Sequence, residues 1–399
     1  MKKALQGVRV LDFTQALAGV YCAMYLGDFG ADVIKVEPNT CGDQSREWGP
    51  FVNGESVYFA TYNRNKRSIA LDLVSPEGKQ IVMDLVKDCD VVLSNFKYGT
   101  MEKLGFGYED LKNVNPQVIY GEITGFGTNG PLRDKPYTSI TAAARGGLID
   151  KIGEADGPPI KPGFPIGDNW SGLNLLMGIS MALVNKQTTG QGCYLDLGMM
   201  DAVMYLQDQA VLEYIITNHI GPRSGNHDID VAPYGAFKAK DGWAVIGCMS
   251  EGHWKKFCNL MNLTELADDE RFSTNELRVA NLKELVPEIE KGTSIMNKME
   301  IETLLQSNRI PAGAVMSMPE LIEDEYVKVR ELAPEVDHPV IGKFRTMGIP
   351  MKFNKTPGDC SMRPAPALGE HSDEVLKEIG YTEEKIAELR SRGVISSKN

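Results

Sequence analysis

The segment Phe164-Pro165-Ile166-Gly167-Asp168-Asn169-Trp170-Ser171-Gly172 puts a carboxylate just ahead of a helical pattern running from about Trp170 to Asn185. An aspartate there has two uses. As an N-cap, its side chain accepts from the first backbone N–H groups of the helix. As a nucleophile, it is kept ionised by the positive end of the helix dipole, and an ionised carboxylate can attack an activated carbonyl. Spacing alone leaves both uses open. Cations form a second signal. Lys97 follows Asn95-Phe96 at the end of a strand pattern, and Lys103 sits in the helix that follows. Arg64, Lys66 and Arg67 crowd into Asn63-Arg64-Asn65-Lys66-Arg67-Ser68. Each is either a solvated surface charge or part of an anion site. Lys97 fits the second reading, because ligands of open α/β sheets sit outside the carboxyl ends of the strands, where helix N-termini add positive charge.

Other chemistries lack their signals. The turn after the first strand, Thr14-Gln15-Ala16-Leu17-Ala18-Gly19, has no GxGxxG, although Glu37 ends the second strand where it could hold a ribose. No phosphate-binding GxxxxGK[ST] loop and no GxSxG elbow occurs. The seven cysteines are scattered, with no CxxC pair, and the five histidines do not group with them. Neither a disulfide framework nor a metal site is expected. A net charge of −12 argues against nucleic acid or an anionic membrane as partner. Met1-Lys2-Lys3 is followed by Gln6, Gly7, Arg9 and Asp12, so no signal core forms. The longest apolar stretch, Leu175 to Val184, is about half a membrane span. A cytoplasmic protein is the expectation.

These residues need elements to hold them. At 399 residues the chain has room for two or three domains at about 150 residues each. Val8 to Phe13 reads as a strand, Gln15 to Phe29 as a helix closed by Gly30, and Ala31 to Glu37 as a strand, a unit the size of a right-handed crossover. Strand patterns recur at Ser68–Leu73, Asp90–Asn95 and Val118–Ile123, with helices from Ser75-Pro76 and over Met101–Val114. The strands are Val/Ile/Leu-rich on both faces, as a parallel sheet covered by helices requires. Near residue 220 the character changes. His219 to Pro233 reads as a linker, and Tyr234–Lys238 and Trp243–Cys248 flank a Lys240-Asp241-Gly242 hairpin turn. Helices follow over Glu251–Met261, Leu277–Lys291 and Lys298–Gln306. His338–Phe353 is strand-like, and Ser372–Arg392 supplies two closing helices. The fold class is α/β: a large, Rossmann-like domain with a mostly parallel sheet over 1–220 and again 329–399, and a smaller α+β domain over 221–328.

An ordered set of motifs carries a resemblance over nearly the whole chain. Leu5-Gln6-Gly7-Val8-Arg9-Val10-Leu11-Asp12, Phe29-Gly30-Ala31-Asp32-Val33-Ile34-Lys35-Val36-Glu37, Asn65-Lys66-Arg67-Ser68-Ile69, Asn95-Phe96, Gly125-Phe126-Gly127, Thr189-Gly190-Gln191-Gly192, Ala232-Pro233-Tyr234-Gly235 and Leu368-Gly369-Glu370-His371 occur in sequence. The chain resembles the class III CoA-transferases, the family of formyl-CoA and carnitine CoA-transferases. The resemblance implies that Asp168 is the nucleophile. It implies CoA contacts at Asn95, Phe96, Lys97 and Lys103, with others near Leu17 and Ala18, from Leu71 to Val74, and around Tyr137 in Pro136–Ser139. It implies acyl-CoA and a small carboxylic acid as substrates, no permanently bound cofactor, and a homodimer of two interlocked chains. There are departures. Leu17 stands where formyl-CoA transferase has a glutamine, Pro38 where it has an arginine, and Gly247–His253 has two glycines where that enzyme has a tetraglycine loop. Formyl-CoA and oxalate are therefore not the expected substrates. The racemases of the family use a histidine that would fall near Tyr137, and no histidine lies between Met1 and Asn218.

The expected activity is CoA transfer from an acyl-CoA to a carboxylic acid through an aspartyl anhydride and an aspartyl-CoA thioester. The turn Gln15 to Gly19 is the candidate oxyanion site. A racemase or isomerase using Asp168 as base, a CoA-binding protein without turnover, and an NAD enzyme are the competing readings.

Overall fold

The computed structural model describes residues 3–353 and 362–396. Met1, Lys2 and Cys360 lie outside the described residues. The chain divides into two compact units: 1–148, 162–218 and 326–399 form the first, and 149–161 with 219–325 the second.

The first unit is built on strands β1 (Arg9–Asp12), β2 (Asp32–Pro38), β3 (Lys66–Leu71), β4 (Val91–Ser94), β5 (Ile119–Thr124) and β6 (Cys193–Gly198). They pair in parallel in the order β3-β2-β1-β4-β5-β6, and a short C-terminal strand, Ile395–Ser396, adds antiparallel to β3. Alternation along each strand divides the core. Leu11, Ile34, Ile69, Val92 and Tyr120 face helices Pro76–Val86, Tyr108–Val114, Ser372–Glu378 and Glu383–Ser391. Val10, Val33, Val91, Ile119 and Ile123 face α1 (Ala18–Asp28), α2 (Ser139–Arg145) and α3 (Ile166–Thr189). Burial on both faces is why the strands read as continuous apolar runs.

The strand order reverses direction between β1 and β4, and the two loops leaving those strands diverge to opposite sides. A crevice opens at such a point, outside the carboxyl ends of the strands. α1 and α3 cross close to it. A Cβ at Gly172 of α3 would lie 2.6 Å from the Ala18 carbonyl oxygen and 3.1 Å from Tyr21 Cβ, so only glycine allows this approach.

The second unit has strands Tyr234–Ala239, Gly242–Gly247 and Ala312–Ala314 in an antiparallel sheet with the middle strand central. Phe237, Trp254, Phe257, Ile289 and Ile301 form its core. The third strand shows no alternation in three residues, so the sequence pattern misses it. Ile149–Lys161, assigned to the large domain by sequence, groups with this unit. Gly225 N–H donates to Gly153 O at 3.0 Å, and Arg223 donates to the carbonyls of Glu154 and Gly157.

Several boundaries shift for local reasons. The first helix starts at Ala18 rather than Gln15, because Ala16 takes a left-handed φ of 63°. The helix expected over Met101–Val114 is two, broken at Gly105 with φ 83°. The strand expected at Ser68 begins at Lys66, which moves Lys66 and Arg67 out of a loop and into the sheet. His338–Phe353 contributes one arm of a hairpin, Glu335–His338 with Gly342–Arg345. Among the described residues no helix is long and apolar enough to cross a membrane.

Gly172→Ala should destabilise the protein in urea or thermal unfolding. Overpacking costs about 1–3 kcal/mol, against a helix-propensity gain for alanine of at most about 1 kcal/mol. An unchanged unfolding midpoint would contradict the close approach of α1 and α3.

Candidate active site

A cleft of about 480 Å³ lies at the reversal point. The loop after β1 contributes Gln15, Ala16 and Ala18 to its wall, and the loop after β4 contributes Asn95, Phe96 and Lys97. Gln44, Trp48, Tyr137, Thr138, Ser139, Asp168 and Met199 complete the wall. A volume of this size suits a small ligand or the reactive end of a larger one.

Asp168 is not the N-cap. The helix begins two residues earlier than Asp168, at Ile166, with Pro165 in the capping position and no side chain capping it. Asp168 therefore stands in the first turn, where its carboxylate is available to the cleft. Gly167 brings this turn against α2: a Cβ there would lie 2.9 Å from Ser139 Oγ and 3.0 Å from Ser139 O. Asp168 N–H donates to Ser139 Oγ at 3.3 Å. Burial pushes the Asp168 carboxyl up to about 6, and the Ser139 hydroxyl offsets only part of that. The helix dipole was expected to hold the group low; desolvation is the larger effect here. The phenols of Tyr58, Tyr62 and Tyr137 are each pushed up, first by burial and further by the Asp168 charge. They stay protonated at neutral pH. Tyr58 packs edge-on against Trp48 and at a tilt against Tyr62, with ring centroids 5.4 Å and 4.9 Å away. Sequence reasoning missed Tyr58 and Tyr62. Their i, i+4 spacing on helix Val57–Tyr62 was the available signal.

The turn from β1 into α1 is held by side chains at each step. Thr14 N–H donates to Asp12 Oδ1 at 2.9 Å, and Thr14 O accepts from Lys35 Nζ at 2.7 Å. Gln15 N–H and O pair with the Asn95 side-chain amide, both at 2.8 Å. Ala16 N–H donates to Asp43 Oδ1 at 3.2 Å. Gln15 and Ala16 thus have no N–H to offer a ligand, which narrows the expected oxyanion turn to Leu17–Gly19. No side chain caps α1, so its first-turn N–H groups are left to whatever fills the cleft.

The other expected positions divide. Ala18, Asn95, Phe96, Lys97 and Tyr137 come together in the cleft wall. Lys97 is exposed there. The Asn95 amide is spent on Gln15, so any contact it makes with a ligand is through what that amide leaves over. Tyr137 donates to the carbonyls of Asn95 and Ile123, both at 3.3 Å. Leu17 is buried and Leu71 is wholly buried in the core, and neither is part of the cleft wall. Lys103 is exposed on helix Thr100–Leu104, outside the wall. Arg64, Lys66 and Arg67 are not an anion site. Arg64 pairs with Asp28 at 2.7 Å, Lys66 with Asp12 at 2.8 Å, and Arg67 with Asp32, Glu374 and Glu378 at 2.7–2.8 Å, all three cations being buried.

A parallel α/β sheet with a carboxylate-bearing cleft at its reversal point defines the class. Residues 5–372 match the family model described as CoA-transferase family III. The chain is 37% identical over 395 residues to succinyl-CoA:glutarate CoA-transferase of Mus musculus, covering 98% of this chain and 90% of that one. It is 36% identical over 420 residues to formyl-CoA:oxalate CoA-transferase of Rhodopseudomonas palustris, covering 99% and 98%. The crystal structure of a CaiB/BaiF family protein from Brucella suis superposes with a TM-score of 0.86 at 34% identity, over 95% of this chain and 100% of that one. The chain belongs to CoA-transferase family III, and is an enzyme of that class.

The raised Asp168 pKa has a stability consequence. Its folded value, about 6, exceeds the ordinary aspartate value of 3.8. Protonated Asp168 therefore favours the folded state, and that contribution is lost as pH rises through about 6. Asp168→Asn, which mimics the protonated form, should match wild type in unfolding below about pH 4 and be more stable above about pH 6. A stability gap independent of pH would refute the buried carboxylate.

Proposed function

We propose that the protein moves CoA from an acyl-CoA donor to a carboxylic acid acceptor, with Asp168 as nucleophile. An Asp168 carboxylate oxygen attacks the thioester carbonyl, the C–S bond breaks, and CoA thiolate leaves. A mixed anhydride results. The thiolate attacks the aspartyl Cγ, releasing the donor as a free carboxylate and leaving a β-aspartyl-CoA thioester. The acceptor carboxylate attacks that Cγ and displaces the thiolate. The thiolate then attacks the acceptor acyl carbon, which yields the new acyl-CoA and restores Asp168. No step consumes or releases a net proton. That agrees with a cleft whose neighbouring phenols remain protonated, and with a sequence that has no histidine before residue 219.

The single observation that carries this reading is Asp168 itself, a largely buried carboxylate in the same cleft wall as the uncapped start of α1. N–H groups there are suited to the oxyanions of the thioester and anhydride steps, and such donors are worth about 3 kcal/mol each. A carboxyl of pKa about 6 is mostly ionised at pH 7 yet more basic than an ordinary aspartate. Both properties favour attack. The acceptor is proposed to be a dicarboxylic acid: relatives are named for glutarate, oxalate and D-citramalate, the last in Chloroflexus aurantiacus. Succinyl-CoA is the first donor to assay, because two of those names carry it.

The interlocked homodimer is part of the proposal. Helix Asp208–Thr217 has no buried residue in the single chain, although it carries Leu212, Tyr214, Ile215 and Ile216. On α3, Met177, Met181 and Val184 are also more than half exposed. Exposed apolar side chains grouped on helices in this way suit an interface. Sedimentation at nanomolar concentration should give a dimer that dilution does not dissociate; a folded, active monomer would count against it.

Incubation with acyl-CoA alone, followed by mass spectrometry, should show CoA on the peptide bearing Asp168, and hydroxylamine should convert that residue to a hydroxamate. Asp168→Asn should lose transfer while still binding CoA. In wild type, kcat/KM should rise with pH through about 6 and then level. Near-normal transfer by Asp168→Asn, with deamidation excluded by mass, would refute the mechanism.

Lys97, in the cleft wall, is proposed to meet the anionic part of CoA. Lys97→Ala should raise the KM for acyl-CoA by up to about fivefold, the size of an exposed charge pair, and the effect should shrink in high salt. Lys103→Ala should have the smaller effect, since Lys103 stands outside the wall. Unchanged KM in both would place the anion site elsewhere.

A further inference from the structure

We infer that Asp43 and Lys35 are positioning residues for the transfer reaction: as one buried pair they clamp both ends of the Thr14–Ala16 turn, and so aim the first N–H groups of α1 into the cleft. The inference rests on the transferase reading above and concerns residues that touch no substrate.

The geometry is specific. Lys35 Nζ lies 2.8 Å from Asp43 Oδ2 and donates to Thr14 O at 2.7 Å. The other carboxylate oxygen, Asp43 Oδ1, accepts from Ala16 N–H at 3.2 Å, and from Ser45 N–H and Oγ at 2.8 and 2.7 Å. One ion pair thus grips the carbonyl of residue 14 and the N–H of residue 16. The residue between them is gripped from the other side by the Asn95 amide. Both members of the pair are wholly buried, so water cannot take over either contact.

The clamped turn is strained. Ala16 has φ 63°, a conformation that costs an L-residue with a Cβ roughly 1–2 kcal/mol. Strain of this kind persists only where the surroundings over-determine it, and it clusters at functional sites. A loop that merely joined β1 to α1 could leave its polar groups to solvent. Here every backbone polar group from Thr14 N–H to Ala16 N–H is bound by a side chain, from four different places in the chain. The N–H groups next in sequence are the ones α1 leaves uncapped beside Asp168. Donors fixed in this way need no reorganisation when charge develops on a bound oxygen.

Asp43 is itself held from behind. Asp43 N–H donates to Glu37 Oε2 at 3.0 Å, and Glu37 is gripped by Arg46 at 2.7 and 2.8 Å and by Ser68 Oγ at 2.6 Å. The clamp is therefore mounted on the end of β2, through Glu37, and on the middle of β3, through Ser68.

The test is steady-state transfer by wild type, Asp43→Asn and Asp43→Ala, each with and without Ala16→Gly, with acyl-CoA KM and thermal unfolding measured alongside. Asparagine keeps the size of the side chain and the acceptor for Ala16 but loses the pair with Lys35. Asp43→Ala should lower kcat roughly a hundredfold, the low end of the loss seen when an oxyanion donor is removed, and Asp43→Asn, which keeps the acceptor for Ala16, roughly tenfold, with KM within about twofold of wild type in both. Glycine at position 16 adopts positive φ without the alanine penalty, so Ala16→Gly should recover kcat several-fold in both Asp43 variants. A merely structural pair would show lost unfolding temperature without that recovery. A kcat for Asp43→Asn within about threefold of wild type would overturn the inference. So would a fall that tracks KM, or one that Ala16→Gly leaves unmoved. If Asp43→Ala does not fold, Asp43→Asn decides alone. Wild-type protein without transfer for any acid pair would overturn the transferase reading and this inference with it. Normal transfer by both wild type and Asp43→Asn would overturn the clamp only.

Discussion

Two buried ion pairs tied to the turn from β1 into α1, Lys35–Asp43 and Lys66–Asp12, are what the rest of the site depends on. All four side chains are sequestered from water. A buried pair adds little net stability, since desolvation cancels most of the attraction, but losing one partner costs about 3–5 kcal/mol. Such pairs therefore specify geometry more than they stabilise. Burial works against ionised Asp43, yet Lys35 and the Ser45 hydrogen bonds outweigh it and hold the carboxyl at about 2. Burial also brings the Lys66 ammonium down to about 8, with Asp12 opposing. Asp12 links the two pairs, because its other oxygen accepts from Thr14 N–H. The loop that begins the cleft is thereby tied to the sheet floor through charge rather than through apolar packing alone.

The cleft shows the opposite treatment of a carboxylate. Asp43 is surrounded by donors and a cation; Asp168 has the Ser139 hydroxyl and, near enough to feel its charge, the phenols of Tyr58, Tyr62 and Tyr137. The same side chain is thus held near 2 in one place and near 6 in the other. Separating two carboxyls by environment is how one fold assigns them different work. One anchors backbone and the other is left under-solvated.

Glycine supplies the proximity that makes this possible. Gly167 lets α3 touch Ser139, and Gly172 lets it touch the start of α1. Without those contacts the Asp168 carboxylate and the uncapped N–H groups of α1 would not share one wall.

The alternating elements, the parallel sheet, the closing helices and an aspartate near the start of α3 were all legible in the chain, because apolar periodicity and short motifs are local properties. So was the helix start at Ser75-Pro76, where the Ser75 hydroxyl accepts from Gly78 N–H. Much of the site was not. Lys66 and Arg67 looked like part of a surface anion cluster because their partners, Asp12, Asp32, Glu374 and Glu378, lie 35 to 311 residues away. Tyr58 and Tyr62 matter only because their helix lies near Asp168. The Asp168 pKa was misjudged because a helix dipole can be read from position, whereas burial depends on everything packed around it. Sequence by itself determined which residues could do chemistry and which elements would carry them. Tertiary structure decided which charges were already spent, which N–H groups were left over, and how far Asp168 was stripped of water, since each of these is a sum over neighbours distant in the chain.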